Sequence, residues 1–390
     1  MASTSEAADS PASITHKDDR TTRVLVGPNQ ARDYHTNVDT EERRCISPSQ
    51  RSLLDKDWSW VVLILAFYIQ VFVNFLTPCF GVFFSQKMAS FSASSSLSSG
   101  IFTLHIFFFD LGSLICPDIA SKLGHRSTTF AALVTAFFSF VLLALCDGLE
   151  VIFVSYGVVL ALSGGILFNV TLLMVPMYFE KHRRPALSCI SVGMGASGVI
   201  SPHLVRYLID FYGYSGGLLL YGACFLQGCV LVVLVRPAPK PIVEVPEDAE
   251  YEDLSLVDDV AMNHQRFPRK TALCAASVIA GILDLGFSFS LVDESALTGL
   301  CVLHGLGIGL FFSVFYASLI DIVGLPLYPA SLAVNAIFLG ITDTLISPIL
   351  GVIRDFSGSY SAVLGTCAAL KMCSAISLVI LFIRMKARQN

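Results

Sequence analysis

Ionisable side chains inside long apolar stretches are the residues of this sequence that could do chemistry. They are His105, Asp110, Arg206, Asp284, His304, Asp343 and Lys371. A charge surrounded by hydrocarbon is costly, so such residues usually face a protein interior or a water-filled path for protons, ions or substrates. Arg206 and Asp284 lie near the ends of their apolar stretches, where a charged head reaches water at little cost.

Two of these acids, Asp110 and Asp343, lie in the middle of apolar stretches. Asp110 lies five positions after His105, which is an offset of about 140° around a helix, so we expect these two on different faces. For Asp343 two interpretations stay open. It lines a transport path, or it forms an internal bond, for example with Arg206 or Lys371.

Enzyme, metal and nucleic-acid chemistry are not indicated. The sequence contains no Ser/His/Asp, Cys/His or metal-ligand pattern, and all cysteines except Cys45 lie in or beside apolar stretches, where they act as small hydrophobes. The Gly193-x-Gly195-x-x-Gly198 string follows no strand, so it does not predict a nucleotide site. A net charge of -5 without a basic stripe argues against nucleic acid as a partner. We therefore predict no enzyme activity, no cofactor and no metal.

Composition indicates what positions these residues. Hydrophobic residues make up 54% of the 390 and charged residues only 14%, too few charges for the surface of a soluble protein. A span needs about 20 apolar residues, and in lipid the backbone must satisfy its own hydrogen bonds. We predict an all-α polytopic membrane protein, embedded in the lipid bilayer, with about ten spans: Trp60–Phe84, Gly100–Ala120, Thr128–Leu145, Val151–Met177, Ala186–Tyr207, Gly216–Val235, Thr271–Ser290, Ala296–Val323, Ser331–Ile353 and Ala362–Ile383.

The positive charges predict the orientation. With both termini cytosolic, the cytosolic segments hold all of the 25 Lys and Arg except Lys87, Arg206, Arg354 and Lys371. The domain prediction is a disordered cytosolic tail (1–54), a six-helix bundle (55–235), an acidic and Pro-rich cytosolic loop (236–270), a four-helix bundle (271–385) and a short cytosolic tail (386–390).

Three stretches carry a family resemblance. They are Asp55-Lys-Asp-Trp-Ser-Trp60, the run from Met174 through Tyr178-Phe-Glu-Lys-His-Arg-Arg184 to Tyr212-Gly-Tyr, and Asp321-Ile-Val-Gly followed by Ser347-Pro-Ile-Leu-Gly-Val-Ile-Arg-Asp355. Together they resemble the monocarboxylate transporter family of the major facilitator superfamily, over roughly residues 55–385. The resemblance implies a major-facilitator-like fold that transports small organic acids by alternating access, in symport with protons.

Two departures from the family pattern bear on that activity. The family has twelve spans, and this chain matches spans one to six and nine to twelve. The Asp-x-x-x-Arg of the family's eighth span has no counterpart, and Pro78 occupies the position where the family often has Lys. A second hypothesis is therefore a shortened, non-transporting membrane protein that is inactive or regulates a full-length relative.

The resemblance also implies roles for individual residues. By position, Asn169 and Ser313 match residues that line the family's substrate cavity, although each could instead bond a neighbouring helix; the path residues we expect are Asn169, Ser313, Asp343 and Asp110. Gating residues are expected at three places, the loop with Asp118 and Arg126, the cluster with Lys181 and Arg183, and the final motif with Arg354 and Asp355. The cations in the first two places also serve as topology signals. The family further implies a single-span glycoprotein partner and the plasma membrane.

Overall fold

The fold is built from helices alone in the residues that the structure, a computed structural model, describes: 57–76, 81, 83–84, 87, 95–146, 148–235, 267–289 and 294–387. The predicted tail 1–54 and the predicted loop as far as residue 266 lie outside these residues. The helices are α1 (Asp57–Val73), α2 (Ser95–Leu123), α3 (His125–Leu145), α4 (Leu149–Tyr178), α5 (Arg183–Leu234), α6 (Phe267–Phe289), α7 (Glu294–Ser357) and α8 (Tyr360–Ala387). Within α4, residues Ile152–Leu160 are π-helical.

Two of these helices fold back on themselves at a glycine. Gly213 in α5 and Gly324 in α7 both have a φ of 74°, a conformation that favours glycine. A Cβ placed on Gly217 would lie 3.2 Å from the backbone nitrogen of Ile209, so the two arms of α5 run back along each other. We call the arms α5N (183–212), α5C (214–234), α7N (294–323) and α7C (325–357). The connections expected at 208–215 and 324–330 are therefore single-glycine turns.

With these arms, the helical segments follow the predicted spans in number and order. Six helical stretches among the described residues are long and apolar enough to cross a membrane: Gly100–Leu123, His125–Leu145, Leu149–Tyr178, His203–Leu234, Val302–Asp321 and Val323–Ser357. The prediction of an all-α polytopic membrane protein is confirmed. Helix α1 is shorter than predicted and ends at Val73. Just after this end, the Gln70 carbonyl accepts from both the backbone N–H (3.2 Å) and the side-chain amide (2.8 Å) of Asn74.

Aromatic rings form the core of the first five helices. Phe83, Phe140, Tyr221 and Phe225 are buried and contact one another with ring centroids 5.4 to 6.2 Å apart, mostly edge to face. The Tyr221 hydroxyl donates to the carbonyl of Phe72 (3.2 Å), so its polar end is satisfied inside this core. This cluster joins α1, α3 and α5C.

Small residues bring α2 and α4 into backbone contact. A Cβ on Gly165 would overlap the carbonyl oxygen of Phe109, and a Cβ on Gly112 would overlap the carbonyl oxygen of Leu162. Glycine at both positions is what allows two membrane helices to approach this closely. The contact fixes the height and rotation of the α2 segment that carries Asp110.

Replacing Gly165 with alanine should therefore force α2 and α4 apart. Overpacking of this kind costs about 1–3 kcal/mol, so we expect a clearly lower melting temperature for the Gly165→Ala protein in detergent. The matched control is Gly198→Ala on α5N, because a Cβ at Gly198 meets nothing within 4 Å. Equal melting temperatures for the two variants would contradict the close contact.

Candidate functional site

A cavity of about 260 Å³ lies between α2, α4, the turn after α1 and both arms of α7. Its polar lining consists of Asn74, Asp110, Ser113, Asn169, Asn335 and Asp343, and its aromatic lining of Phe109, Phe168, Phe312 and Tyr316. Residues of both α7 arms can reach one cavity of this size only because the chain reverses at Gly324. The cavity combines apolar walls with a few polar groups, which is the usual character of a small-molecule site.

Asn169 is held firmly in this cavity. Its Nδ2 donates to the carbonyl of Ser113 on α2 (2.6 Å), while its Oδ1 is buried and has no hydrogen-bond partner. On the neighbouring helix, Gln70 Nε2 donates to Thr171 Oγ1 (2.6 Å) and Asn74 Nδ2 donates to Gln70 Oε1 (2.6 Å). These bonds tie α1, α2 and α4 together and orient two amides, Asn74 and Asn169, at the cavity.

The structure brings Asp110 and Asp343 to the same cavity from different helices. A Cβ on Gly340 would lie 3.1 Å from the Asp110 Cβ, so α7C packs directly on α2 at this level. The two carboxyl groups are close enough to interact electrostatically, and Asp110 Oδ2 is buried without a hydrogen-bond partner. His105 faces elsewhere, with Nδ1 2.9 Å from the Tyr156 carbonyl on α4, which confirms the expected separation of His105 and Asp110.

Ser313 does not line this cavity. Its hydroxyl donates to Ser188 Oγ (2.6 Å), so it joins α7N to α5N. Of the two roles that the sequence left open for Ser313, this contact is the bond between helices. The cavity residues Asn74, Asn335 and Tyr316 were not singled out from the sequence, because amides and tyrosines are common in spans and carry no signal by themselves.

The remaining buried charges form a second cluster, away from the cavity. Asp284 on α6 lies 2.6 Å from Lys371 Nζ on α8 and 3.2 Å from His304 Nδ1 on α7N. Asp284 is only 5% exposed, so the expectation that it lies near water is wrong. Lys371 pairs with Asp284, so the alternative pairing of Lys371 with Asp343 is also wrong. The physical reason is that α6 and α8 pack side by side, which lets two opposite charges neutralise each other.

At one face of the molecule, arginines join the ends of different helices. We call it the basic face, defined by Arg126, Arg183 and Arg184. Arg184 lies 3.3 Å from the Asp321 carboxylate at the end of α7N, and this pair links the start of α5N to α7N. Arg183, Arg184 and Asp321 line a cleft at this face, and Glu180 and Lys181 line it too.

The residues expected to act in gating are distributed over several positions. Arg126 donates to the Val233 carbonyl (2.8 Å), and Arg183 Nε donates to the Phe179 carbonyl (3.0 Å), so both bond backbone at helix ends. Asp118 is exposed near the end of α2.

Arg354 and Asp355 are exposed at the end of α7C, far along the helix from the Gly324 turn. The structure does not bring these two residues to the basic face. Asp321, whose contact with Arg184 links two helix groups there, was known from the sequence only as part of a motif.

Comparison with known proteins places this architecture in a family. The model of the Major Facilitator Superfamily matches residues 59–265, more than half of the chain. The chain belongs to the major facilitator superfamily. This match includes most of α1 and all of α2 to α5, and so the parts of the cavity lining that come from α2, α4 and the turn after α1.

Proteins similar to this chain within the superfamily are named monocarboxylate transporters. Mouse (Mus musculus) monocarboxylate transporter 6 is 30% identical over 196 residues, which is 50% of this chain and 42% of that protein. Mouse monocarboxylate transporter 9 is 29% identical over 201 residues (51% and 39%), and rat (Rattus norvegicus) monocarboxylate transporter 13 is 28% identical over 183 residues (47% and 43%). The resemblance to monocarboxylate transporters is confirmed over about half of the chain. The matched part of the chain spans about two fifths of the length of these relatives.

The Asp284 cluster generates a prediction for this major facilitator protein. Lys371→Met removes the main counter-charge of a buried carboxylate, and breaking a buried pair costs about 3–5 kcal/mol. Because Lys371 is 40% exposed, we expect a smaller loss of stability, about 2–3 kcal/mol. The measurement is the melting temperature in detergent.

The double variant Asp284→Asn/Lys371→Met distinguishes loss of the ion pair from the cost of leaving one charge without its partner. It should melt above Lys371→Met alone, because it leaves no unpaired charge. A double variant that melts lower than both single variants would contradict the ion pair.

Proposed function

We propose that this chain is a transporter that moves small organic acids across a membrane through the α2–α4–α7 cavity by alternating access. The observation that carries the proposal is a polar cavity shared by helices from both sides of the acidic loop, α2 and α4 on one side and α7 on the other. Transporter sites lie at such junctions, where one group of helices rocks against the other. The relatives named monocarboxylate transporters support a monocarboxylate as the substrate class.

The charges of the cavity bear on how an acid is carried. Two aspartates line it, and none of its lining residues in the described part of the chain is Lys, Arg or His. A free carboxylate anion would be repelled by these aspartates. We therefore propose that a simple monocarboxylate crosses together with a proton, which removes one negative charge from the cavity.

Proton-linked uptake is tested in proteoliposomes with labelled L-lactate. We expect faster uptake when the outside is acidic than when pH is equal on both sides, because a proton must accompany the anion. The control is the same liposome preparation without protein. Failure of lactate and pyruvate to enter from well-folded, correctly inserted protein would contradict proton-linked uptake. Failure of every small organic acid to enter would favour the second candidate, a membrane protein that regulates a relative without transporting.

The Arg184–Asp321 pair supports a role in closing the basic face, which we propose is cytosolic. An exposed pair of this kind contributes about 0.2–1 kcal/mol, and the side chains of Arg184 and Asp321 are 59% and 19% exposed. Its loss should thus shift the balance of access states without unfolding the protein.

Charge reversal tests this closure. Arg184→Glu should change lactate uptake by about two- to fivefold, because repulsion replaces attraction across the face. The swapped pair Arg184→Glu/Asp321→Arg should restore most of the uptake, whereas Arg206→Glu on the exposed surface of α5N should leave it near the original rate. If the swap restores nothing, the pair does not act as a gate. The ancillary glycoprotein and the plasma membrane remain proposals based on the family.

A further inference from the structure

The unpaired polar atoms that α2 and α4 place at the cavity are hydrogen-bond acceptors. Asp110 Oδ2 and Asn169 Oδ1 are both buried and without a partner, and Asn169 as a whole is 2% exposed. Because Asn169 Nδ2 is committed to the Ser113 carbonyl, the oxygen is the end of this amide that is left to face a ligand. Buried acceptors without a donor are costly, so a ligand that satisfies them must donate hydrogen bonds.

Two carboxyl groups line the same cavity. Asp343 lines it beside Asp110, and the close packing of α7C on α2 at Gly340 keeps the two carboxyl groups within electrostatic reach. No cation among the lining residues in the described ranges offsets them. The cationic cluster member Lys371 is engaged by Asp284 and does not line this cavity. A ligand therefore gains most here if it brings its own positive charge.

Aromatic side chains complete the surroundings of the acids. Phe109 and Phe168 line the cavity from the α2–α4 side, and Phe312 and Tyr316 line it from α7N. Aromatic faces attract ammonium groups, most strongly where water is excluded. The Tyr316 hydroxyl is buried without a partner, so it is a further group that a polar ligand can satisfy.

From these three observations we infer that the Asp110–Asp343 end of the cavity binds the protonated amine of a small solute. An ammonium group donates three hydrogen bonds. The acceptors available to it are the unpartnered oxygens of Asp110 and Asn169 and the carboxyl group of Asp343, which lines the same cavity. The inference rests on the proposed transport function and refines its substrate class. A monocarboxylate that carries an amine brings its own positive charge, whereas lactate needs an accompanying proton to supply it.

Matched pairs of solutes test the inference, because the two members of a pair differ only in having an ammonium group or a hydroxyl group at the same carbon. The pairs are L-alanine with L-lactate, and L-phenylalanine with L-3-phenyllactate, offered to proteoliposomes at equal pH inside and outside. We expect the amine of at least one pair to enter about tenfold faster or more than its hydroxy acid. Asp343→Asn should abolish that preference, and Asp210→Asn, an exposed carboxylate on α5N outside the cavity, should retain it.

A binding measurement covers the case in which Asp343→Asn does not fold. The amines should raise the melting temperature of the unaltered protein in detergent more than the matching hydroxy acids do. Preference for the hydroxy acids, or equal shifts within both pairs, would overturn the inference while leaving transport intact. Amine uptake that persists unchanged in a folded Asp343→Asn protein would overturn it too. If lactate does not enter even with a proton gradient and none of the four solutes enters, it is the proposed transport function that fails.

Discussion

The cost of placing a charge among hydrocarbon determines the arrangement of this molecule. In a chain with so few charged residues, each one inside a span must find a counter-charge, a hydrogen-bonding partner or an aqueous path. The buried Asp284 carboxylate contacts Lys371 and His304 on neighbouring helices. Asp110 and Asp343 are instead close to each other, and both are acids. The first cluster is thus electrically satisfied, whereas the second remains a place for a proton or a cationic ligand.

Small residues set the distances on which this contrast depends. Gly112 and Gly165 allow the backbones of α2 and α4 to touch, and Gly340 allows α7C to pack against Asp110. A Cβ on Gly195 would lie 2.9 Å from the carbonyl oxygen of Gly305, so α5N and α7N also meet backbone to backbone. With larger side chains at these positions the helices would separate, and the two aspartates would no longer share a cavity. The glycines of the spans therefore act through packing, as membrane helices generally use them.

Much of the fold follows from the sequence, because span length and polarity are dictated by the bilayer alone. The order of the helical segments and the places where they connect could be predicted from apolar stretches and the polar residues that interrupt them. Asp110 and Asp343 were identified as acids within such stretches, whereas Asn169 was expected from the family resemblance alone. Partners across helices were not. Ser313 bonds Ser188, Lys371 bonds Asp284 and Arg184 pairs with Asp321, each through the relative rotation of two packed helices. Rotation depends on the complete set of contacts between helices, and hydropathy carries no information about it.

The position of the acids also gives a physical meaning to the departures from the family pattern. The cationic groups that the family resemblance would assign to the substrate carboxylate have no counterpart in this sequence. The cavity is instead lined by two carboxyl groups, those of Asp110 and Asp343. A site with two acids and no base cannot hold a bare anion without cost. Under the proposed transport function, positive charge enters with the solute, either as a proton or as part of the solute itself. The unpartnered acceptor oxygens of Asp110 and Asn169 favour the second source, because an ammonium group brings three hydrogen-bond donors whereas a single added proton brings one.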